Sequence, residues 1–199
     1  FPQDLRVKCA SARAPLWVVT TPVHLRAYCA AGGPFPNVAG ILCATAPLDP
    51  DLARRASLLF GIAITEIYGS TETGAVACRR WDDSARDPVW QPLSGITIAS
   101  DESGNAVCDA VHLGGPVTLS DQIKFVGSGF LITGRSSELA KVAGKRQSLA
   151  ALNRILTSLP GVIDATYFDP ASANTPQPIV TRLAAFVVLA PGCTAEQVM

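Results

Sequence analysis

The sequence lacks the features that mark several classes of protein. Its 16 Lys and Arg residues balance 16 Asp and Glu residues, so no basic excess indicates a nucleic-acid partner and no charge run indicates a membrane surface. No apolar run approaches the roughly 18 residues that could span a bilayer. No charged and then apolar leader starts at Phe1. These absences predict a cytoplasmic protein without a membrane span or a nucleic-acid partner.

The chain is also poor in metal-ligand patterns. It has two histidines and six cysteines, and none of the cysteines forms a Cys-x-x-Cys pair or lies at ligand spacing from a histidine, which argues against a zinc site. Most cysteines lie in apolar segments, which predicts buried, reduced thiols. They are Cys9, Cys29, Cys43, Cys78, Cys108 and Cys193.

Strands and helices alternate in the first part of the chain. Three apolar runs predict buried strands: "LWVV" from Leu16, "VAGILCAT" from Val38 and "IAITEIYG" from Ile62. Two helices are predicted between them, the first with Thr21 as N-cap, Pro22 as its first residue and Gly32 at its end. The second helix has the same arrangement in Asp49, Pro50 and Gly61, with Leu52, Ala56 and Leu59 on one face. This order predicts right-handed crossovers and a parallel sheet.

The pattern changes after Trp81. Alternating runs around "DESGN" and around Gly127–Gly129 predict two hairpins, so residues of about 92–134 should form an antiparallel unit. "SSELAKVAGKRQ" is a polar break. A helix capped by Ser148 and two strands, "VIDATYF" and "RLAAFVVLA", are predicted to follow. "TAEQVM" starts a helix that has no body, which predicts a truncated chain.

The predicted fold class is therefore α/β with two domains. Residues 1–135 would form a parallel α/β part over about 1–80 and the β-rich part over about 92–134. Residues 136–199 would form the start of a small α+β domain.

The stretch "IYGSTETGAVA", residues 67–77, has a composition suited to phosphate chemistry. The carboxyl ends of parallel strands are where open α/β sheets bind ligands. A hydroxyl such as Thr71 can donate to a phosphate oxygen, Glu72 can hold Mg²⁺ together with substrate phosphates, and Tyr68 offers a flat face to a base. The alternative is a plain strand, turn and strand with Glu72 in water.

The second stretch of interest runs from Asp121 to Arg146. An aspartate can accept hydrogen bonds from two ribose hydroxyls, and an arginine fork such as Arg135 adds donors. Lys141, Lys145 and Arg146 surround Gly144 in what we expect to be a flexible loop. The alternative is a solvated basic turn between two domains.

Together these stretches resemble the adenylate-forming superfamily of acyl- and aryl-CoA ligases, peptide-synthetase adenylation domains and luciferases. The first is similar to its Tyr-Gly-x-Thr-Glu segment, and "GRSSELAKVAGKR" is similar to its Gly-Arg-x-Asp-x-x-x-Lys-x-x-Gly-x-Arg segment. "CATAPLDPDL" resembles the loop and helix before Tyr-Gly, "TTPVHLRAYC" the Pro-Thr-x-Leu helix and "WQPLSGITI" the Pro-x-x-Gly strand. The resemblance runs from about Leu16 to Met199.

The resemblance implies an enzyme that activates a small carboxylic acid with ATP and Mg²⁺ and passes it to CoA or to the phosphopantetheine of a carrier protein. Thr71 and Glu72 would be catalytic, through the α-phosphate and Mg²⁺ respectively. The implied nucleotide-binding residues are Ala46, Pro47, Glu66, Tyr68, Gly69, Thr71, Asp121 and Arg135. Within that set Tyr68 would stack on adenine, Glu66 would face its amino group, Ala46 and Pro47 would form the opposite wall, and Asp121 and Arg135 would hold the ribose.

The acyl pocket and the hinge have implied residues of their own. Lys141 and Gly144 would lie near the domain junction where the thiol enters. His24 occupies a position that gates the acyl or aryl pocket in the family, although a partly buried histidine in a first helical turn is the alternative that we prefer.

The sequence also departs from the family. Ser137, followed by Glu138, occupies the position at which the family has an acidic hinge residue. Asn153 stands where the family usually has a glutamate. The family's Ser/Thr/Gly-rich phosphate loop with its lysine and its late Gly-Lys step are absent. We therefore expect a carboxyl-half fragment of an AMP-forming acid–thiol ligase that is inactive alone. The alternatives are an adenylation domain that loads a carrier protein and a non-catalytic nucleotide-binding module.

Overall fold

The fold is taken from a computed structural model of the chain, which describes residues 2–82, 88–135, 139–142, 145–168 and 183–197. The chain divides into two compact units. Unit 1 contains the residues up to 99 together with 107–118 and 124–131, and unit 2 contains residues 100–106, 119–123 and those from 132 onward.

Unit 1 is built on a five-stranded mixed sheet with the strand order β1-β2-β3-β4-β5. The strands are β1 (Leu16–Thr20), β2 (Val38–Cys43), β3 (Ile64–Ser70), β4 (Gly74–Trp81) and β5 (Gln91–Pro92). β1, β2 and β3 pair in parallel, as the strand–helix alternation predicts. β4 turns back and pairs antiparallel with β3, and β5 pairs antiparallel with β4. The sheet is therefore parallel where helices connect its strands and antiparallel where turns do.

The described residues of unit 1 include the α-helices α1 (Pro2–Ser11), α2 (Pro22–Ala31) and α3 (Pro50–Phe60). Both predicted N-caps are confirmed, because the Thr21 side chain accepts from the backbone N–H of His24 and that of Asp49 accepts from Leu52. Gly32 and Gly61 follow the two helices with positive φ angles, which glycine adopts without steric cost. The sequence pattern did not predict α1.

The core of unit 1 packs α2 and α3 against the sheet. On α3, Leu52 and Ala56 are buried and Leu59 packs against the core as a partly buried side chain, so the predicted apolar face is confirmed. Phe35 and Phe60 stack with ring centroids 4.7 Å apart. Each fully buried side chain of this size contributes roughly 1.5–3 kcal/mol, and the packing fixes where β2 and β3 end.

A second sheet has four strands in the order β6-β7-β8-β9. They are β6 (Ile96–Ser100), β7 (Asn105–Ala110), β8 (Val117–Val126) and β9 (Gly129–Arg135). Both predicted hairpins are present. In the first, the Asp101 carboxylate accepts from the backbone N–H groups of Ser103 and Asn105, which closes the turn.

The elements that follow β9 belong to unit 2. α4 (Leu149–Thr157) packs on β12 (Val162–Phe168), and β12 pairs antiparallel with β13 (Ala184–Leu189), as predicted. The Asn153 side chain accepts from the backbone N–H of Tyr167 and so links α4 to β12. A single 3-10 turn, Ala195–Gln197, follows.

One prediction in unit 2 is wrong. We expected a flexible loop around Gly144, but β10 (Leu139–Val142) and β11 (Lys145–Ser148) form an antiparallel ladder in which Lys141 pairs with Arg146. The basic residues concealed the strands, because side-chain charge does not determine whether the backbone pairs with a neighbouring strand.

Across the described ranges, no helix is both long enough and apolar enough to cross a membrane.

Candidate functional site

Glu66 lies at the centre of unit 1, on β3. Its side chain is 3% exposed, and its carboxylate accepts from three N–H donors: Leu48 N at 2.9 Å on Oε1, and Arg79 Nε and Trp81 Nε1 at 2.7 Å each on Oε2. A buried carboxylate requires such partners. Glu66 is opposite Arg79 in the β3–β4 register, so the hairpin itself brings the two charges together.

Arg79 is held between two tryptophans. Its guanidinium carbon lies 4.5 Å from the ring centre of Trp81 and 4.4 Å from that of Trp90, a cation–π geometry that strengthens as water is excluded. Trp90 in turn lies 5.4 Å from the Tyr68 ring. Tyr68 is 8% exposed and also meets Phe130 edge-on at 6.0 Å. The predicted adenine-stacking ring is therefore fixed by aromatic neighbours.

The segment from Ala44 to Leu48 carries the predicted adenine wall. Ala46 and Pro47 are exposed, and Thr45 before them has a φ of +84°. Positive φ is strained for a β-branched residue and persists only where the surroundings enforce it. The backbone N–H of Ala44 donates to Thr20 O at 3.1 Å and that of Leu48 donates to Glu66, so the strained segment is anchored at both ends.

The turn between β3 and β4 presents the predicted phosphate and metal residues. Thr71 and Glu72 are exposed, whereas Thr73 is buried. Thr73 Oγ1 accepts from the backbone N–H of Ser70 at 3.2 Å and donates to Gly74 O at 3.1 Å, which closes the turn. The Ser70 side chain, and then the backbone N–H of Glu72 itself, lower the pKa of the Glu72 carboxyl, so this carboxylate stays charged at neutral pH.

Two further residues shape the same turn. The hairpin register shifts at Gly69, and a side-chain Cβ there would lie only 1.9 Å from Gly74 O, so only glycine fits. His112 Nε2 lies 3.2 Å from Thr73 O. Because a carbonyl oxygen can only accept, Nε2 carries the proton and donates.

Asp121 and Arg135, the predicted ribose pair, meet in unit 2. Arg135 Nε donates to Asp121 Oδ1 at 2.7 Å, with the arginine side chain 51% and the aspartate side chain 11% exposed. Asp121 is on β8 and Arg135 ends β9, so one hairpin supplies both. A half-exposed guanidinium beside a largely buried carboxylate offers donors and acceptors that vicinal hydroxyls could use.

The structure gives less information about the other predicted site residues. His24 is exposed, with Nδ1 3.1 Å from Thr21 Oγ1, so the partly buried histidine that we preferred is wrong. Ser137 and Gly144 lie outside the described residues, and Lys141 is described only by its backbone on β10.

Sequence reasoning missed Arg79, Trp81, Trp90, Thr73 and His112. Arg79 and Trp81 alternate on one strand opposite a glutamate of the preceding strand, and that cross-strand register is the signal that could have paired them with Glu66. Trp90 and His112 come from later segments, and no spacing rule connects them to β3.

The donor set suits a metal that arrives with its own oxygen ligands. In the described part of the chain, no group of three or more His, Cys, Asp and Glu residues could hold a metal ion. A single exposed, charged carboxylate such as Glu72 fits Mg²⁺, which takes one or two protein carboxylates together with substrate phosphates and water.

Two curated proteins are similar to the chain in sequence. Both are named 4-coumarate–CoA ligase. The one from Rhodobacter capsulatus is 29% identical over 147 residues, which is 73% of this chain and 35% of that protein. The one from Cereibacter sphaeroides is 35% identical over 121 residues, 60% of this chain and 27% of that protein. The chain therefore spans about a third or less of these relatives. No family model matches it.

The fold has close counterparts among solved structures. ATP-bound MatB from Rhodopseudomonas palustris superposes over the whole chain and over 45% of its own length, with a TM-score of 0.77 at 20% identity. At that identity the likeness establishes the fold alone.

Proposed function

We propose that this chain, which resembles the adenylate-forming superfamily and is similar to two curated 4-coumarate–CoA ligases, is part of an AMP-forming ligase that joins a carboxylic acid to a thiol. The observation that carries the proposal is the β3–β4 turn. There the family's Thr and Glu are exposed, a hydrogen bond from the Ser70 side chain lowers the pKa of the Glu72 carboxyl, and Thr73 closes the turn through its buried hydroxyl.

The proposed reaction has two steps. The substrate carboxylate attacks the α-phosphorus of ATP and expels pyrophosphate, which leaves an acyl-adenylate. The thiol of CoA then attacks the acyl carbon and expels AMP. Negative charge grows on the phosphate oxygens in the first step, so preorganised donors and cations around them lower the barrier.

The residues of unit 1 would bind and orient the nucleotide. Thr71 would donate its hydroxyl to the α-phosphate. Tyr68 and the exposed pair Ala46 and Pro47 would line the adenine, and Gly69 would let the backbone approach closely. Mg²⁺, bound through Glu72, would offset the charge of the phosphates.

The residues of unit 2 would bind the ribose and form the start of a lid. We assign Asp121 and Arg135 to the ribose hydroxyls, which their ion pair supports. Lys141, Gly144 and Ser137 would belong to a hinge and thiol entrance, with residues 136–199 as a lid domain that moves between the two steps. His24 would border the acyl pocket, where its exposed position leaves it accessible.

The whole protein would use ATP and CoA and act in the cytoplasm. The location is supported by six cysteines that are all free of disulfides, as expected in a reducing compartment. An adenylation domain that loads a carrier protein and a non-catalytic nucleotide-binding module remain alternatives. ATP–pyrophosphate exchange by the full-length parent protein separates the enzymes from the module, and acyl-CoA formation separates the two enzymes.

Calorimetric titration of AMP into the 199-residue chain tests the nucleotide assignment. We expect weak binding that Asp121→Ala abolishes, because the ribose hydroxyls lose their acceptor. Asp109→Ala, which removes an exposed carboxylate from β7, is the matched control and should bind like the wild type. Circular dichroism checks that each variant is folded. Equal affinity of the wild type and a folded Asp121→Ala would remove the ribose assignment.

A further inference from the structure

We propose that Glu66 and Arg79 are positioning residues for the nucleotide-binding segment Ala44–Leu48, and that Glu66 does not itself bind the adenine amino group. This inference rests on the proposed function. A carboxylate offers about four lone-pair positions, and three of those of Glu66 are already filled by protein donors. Its side chain is 3% exposed, so an incoming base could reach the remaining position only if the surrounding residues moved.

The hydrogen bond from Leu48 to Glu66 has a mechanical consequence. Thr45 is held at a φ of +84°, a conformation that costs free energy and relaxes unless both ends of its segment are fixed. Ala44 is fixed by Thr20 O at one end, and Glu66 fixes Leu48 at the other. The exposed pair Ala46 and Pro47 lies between the two anchors. Release of Leu48 would let this wall relax.

Arg79 extends the same support to the opposite side of the proposed base site. Its contact with the Trp90 ring, and the contact of Trp90 with Tyr68, join the Glu66 carboxylate to the aromatic ring predicted to stack on adenine. The buried Glu66–Arg79 ion pair therefore positions both the Ala46–Pro47 wall and the Tyr68 ring. Its effect on a bound base would be one of shape and would not depend on the 6-amino group.

The distinguishing experiment uses two nucleotides that differ only in that group: AMP and purine riboside 5′-monophosphate. The variants are Glu66→Gln, which keeps the shape of the side chain but sets an amide NH₂ against N–H donors, and Trp81→Phe, which removes one donor and keeps an aromatic ring beside Arg79. Glu102→Gln, on an exposed turn, is the matched control. Affinities are measured by calorimetry on the folded 199-residue chain.

We expect Glu66→Gln to weaken both nucleotides by the same factor, about fivefold for the loss of one good hydrogen bond, with their affinity ratio unchanged. Trp81→Phe should act in the same direction and more weakly. A loss confined to AMP would mean that Glu66 binds the amino group and would overturn the positioning role. Unchanged affinities for both nucleotides in both variants would overturn it as well.

A second readout does not depend on any nucleotide. Hydrogen exchange of the Leu48 amide should be slow in the wild type and several-fold faster in Glu66→Gln, while the Leu52 amide, which donates to Asp49, stays as it was. Unchanged exchange at Leu48 would refute the anchor. If the wild type bound neither nucleotide, the proposed nucleotide site would fail and the positioning role with it. Binding by the wild type that is indifferent to both variants would refute the positioning role alone.

Discussion

Two ion pairs among the described residues should differ greatly in their contribution to stability, although their N–O distances are equal. Arg79–Glu66 and Arg135–Asp121 both have an N–O distance of 2.7 Å. The arginine side chain is 11% exposed in the first pair and 51% exposed in the second. We predict that Arg79→Met is strongly destabilising and that Arg135→Met is nearly neutral.

The magnitude follows from what each substitution leaves behind. Arg79→Met leaves the Glu66 charge buried with only Leu48 N and Trp81 Nε1 as donors, and removing one partner of a buried pair costs about 3–5 kcal/mol. Arg135→Met removes a guanidinium that is half exposed to water, and ion pairs of such exposure contribute about 0–1 kcal/mol. A neutral Gln at position 66 needs no counter-charge, so Glu66→Gln combined with Arg79→Met should recover at least about 1 kcal/mol of the loss.

Urea denaturation measures these free energies of unfolding and is followed by circular dichroism and tryptophan fluorescence. The four proteins are the wild type, Arg79→Met, Arg135→Met and the double variant Glu66→Gln with Arg79→Met. Fluorescence reports on unit 1 alone, since Trp17, Trp81 and Trp90 all belong to it. Equal losses for Arg79→Met and Arg135→Met would refute the argument from burial. A double variant no more stable than Arg79→Met would show that the charge of Glu66 is not what the substitution exposes.

Three other predictions follow from the same residues. Burial, and then the charge of Glu66, raise the pKa of the Cys43 thiol from 9.0 to about 12. Because the unfolded chain loses this proton at lower pH than the folded one, the free energy of unfolding should fall by up to about 1.4 kcal/mol per pH unit between those values. Cys43→Ala should reduce this fall with pH, whereas Cys193→Ala should leave it unchanged. Trypsin should cut first between Arg135 and Arg146, where we place the domain junction; first cuts at Arg54 or Arg55, which are exposed but helical, would count against that boundary. The 199-residue chain should show no ATP–pyrophosphate exchange with fatty or aryl acids, because two lysine-bearing segments of the family are absent from it. One such group commonly contributes roughly 2.7–4 kcal/mol to stabilisation of the transition state. Exchange that Glu72→Ala abolishes would show that the chain carries a complete site.

The local signals in the sequence predicted most of the fold. Each of the two capped helices begins at the proline and ends at the glycine that the pattern assigns, because caps act through backbone groups one to three residues away. Runs of apolar residues located β1–β3, because the pattern that marks a buried strand is also local to the strand. The helix α1 was missed because its apolar residues do not recur at a regular helical spacing, although Cys9 is buried and Leu5 packs against the core. It is held by distant groups, with Arg6 donating to the carbonyls of Ala31 and Gly32 and the Asn37 amide donating to Cys9 O.

The resemblance named candidate residues for the site, but it did not give their contacts. The resemblance located Thr71, Glu72, Asp121 and Arg135, and the structure shows that one turn exposes the first pair and one hairpin joins the second. The members of each pair lie within a single hairpin, at most 14 positions apart in sequence. That is the range over which a motif carries geometric information.

Glu66 shows where that range ends. A glutamate two residues before a predicted base-stacking tyrosine invites a ligand role, yet its partners come from the loop after β2 and from β4. Whether a polar side chain serves a ligand or the fold depends on how many of its acceptor positions the protein fills, and that count requires the register of β3 against β4 and the path of the Ala44–Leu48 segment. Both are set by packing of distant segments. A motif can therefore indicate that a residue matters to a site while leaving open whether it contacts the ligand or holds the residues that do.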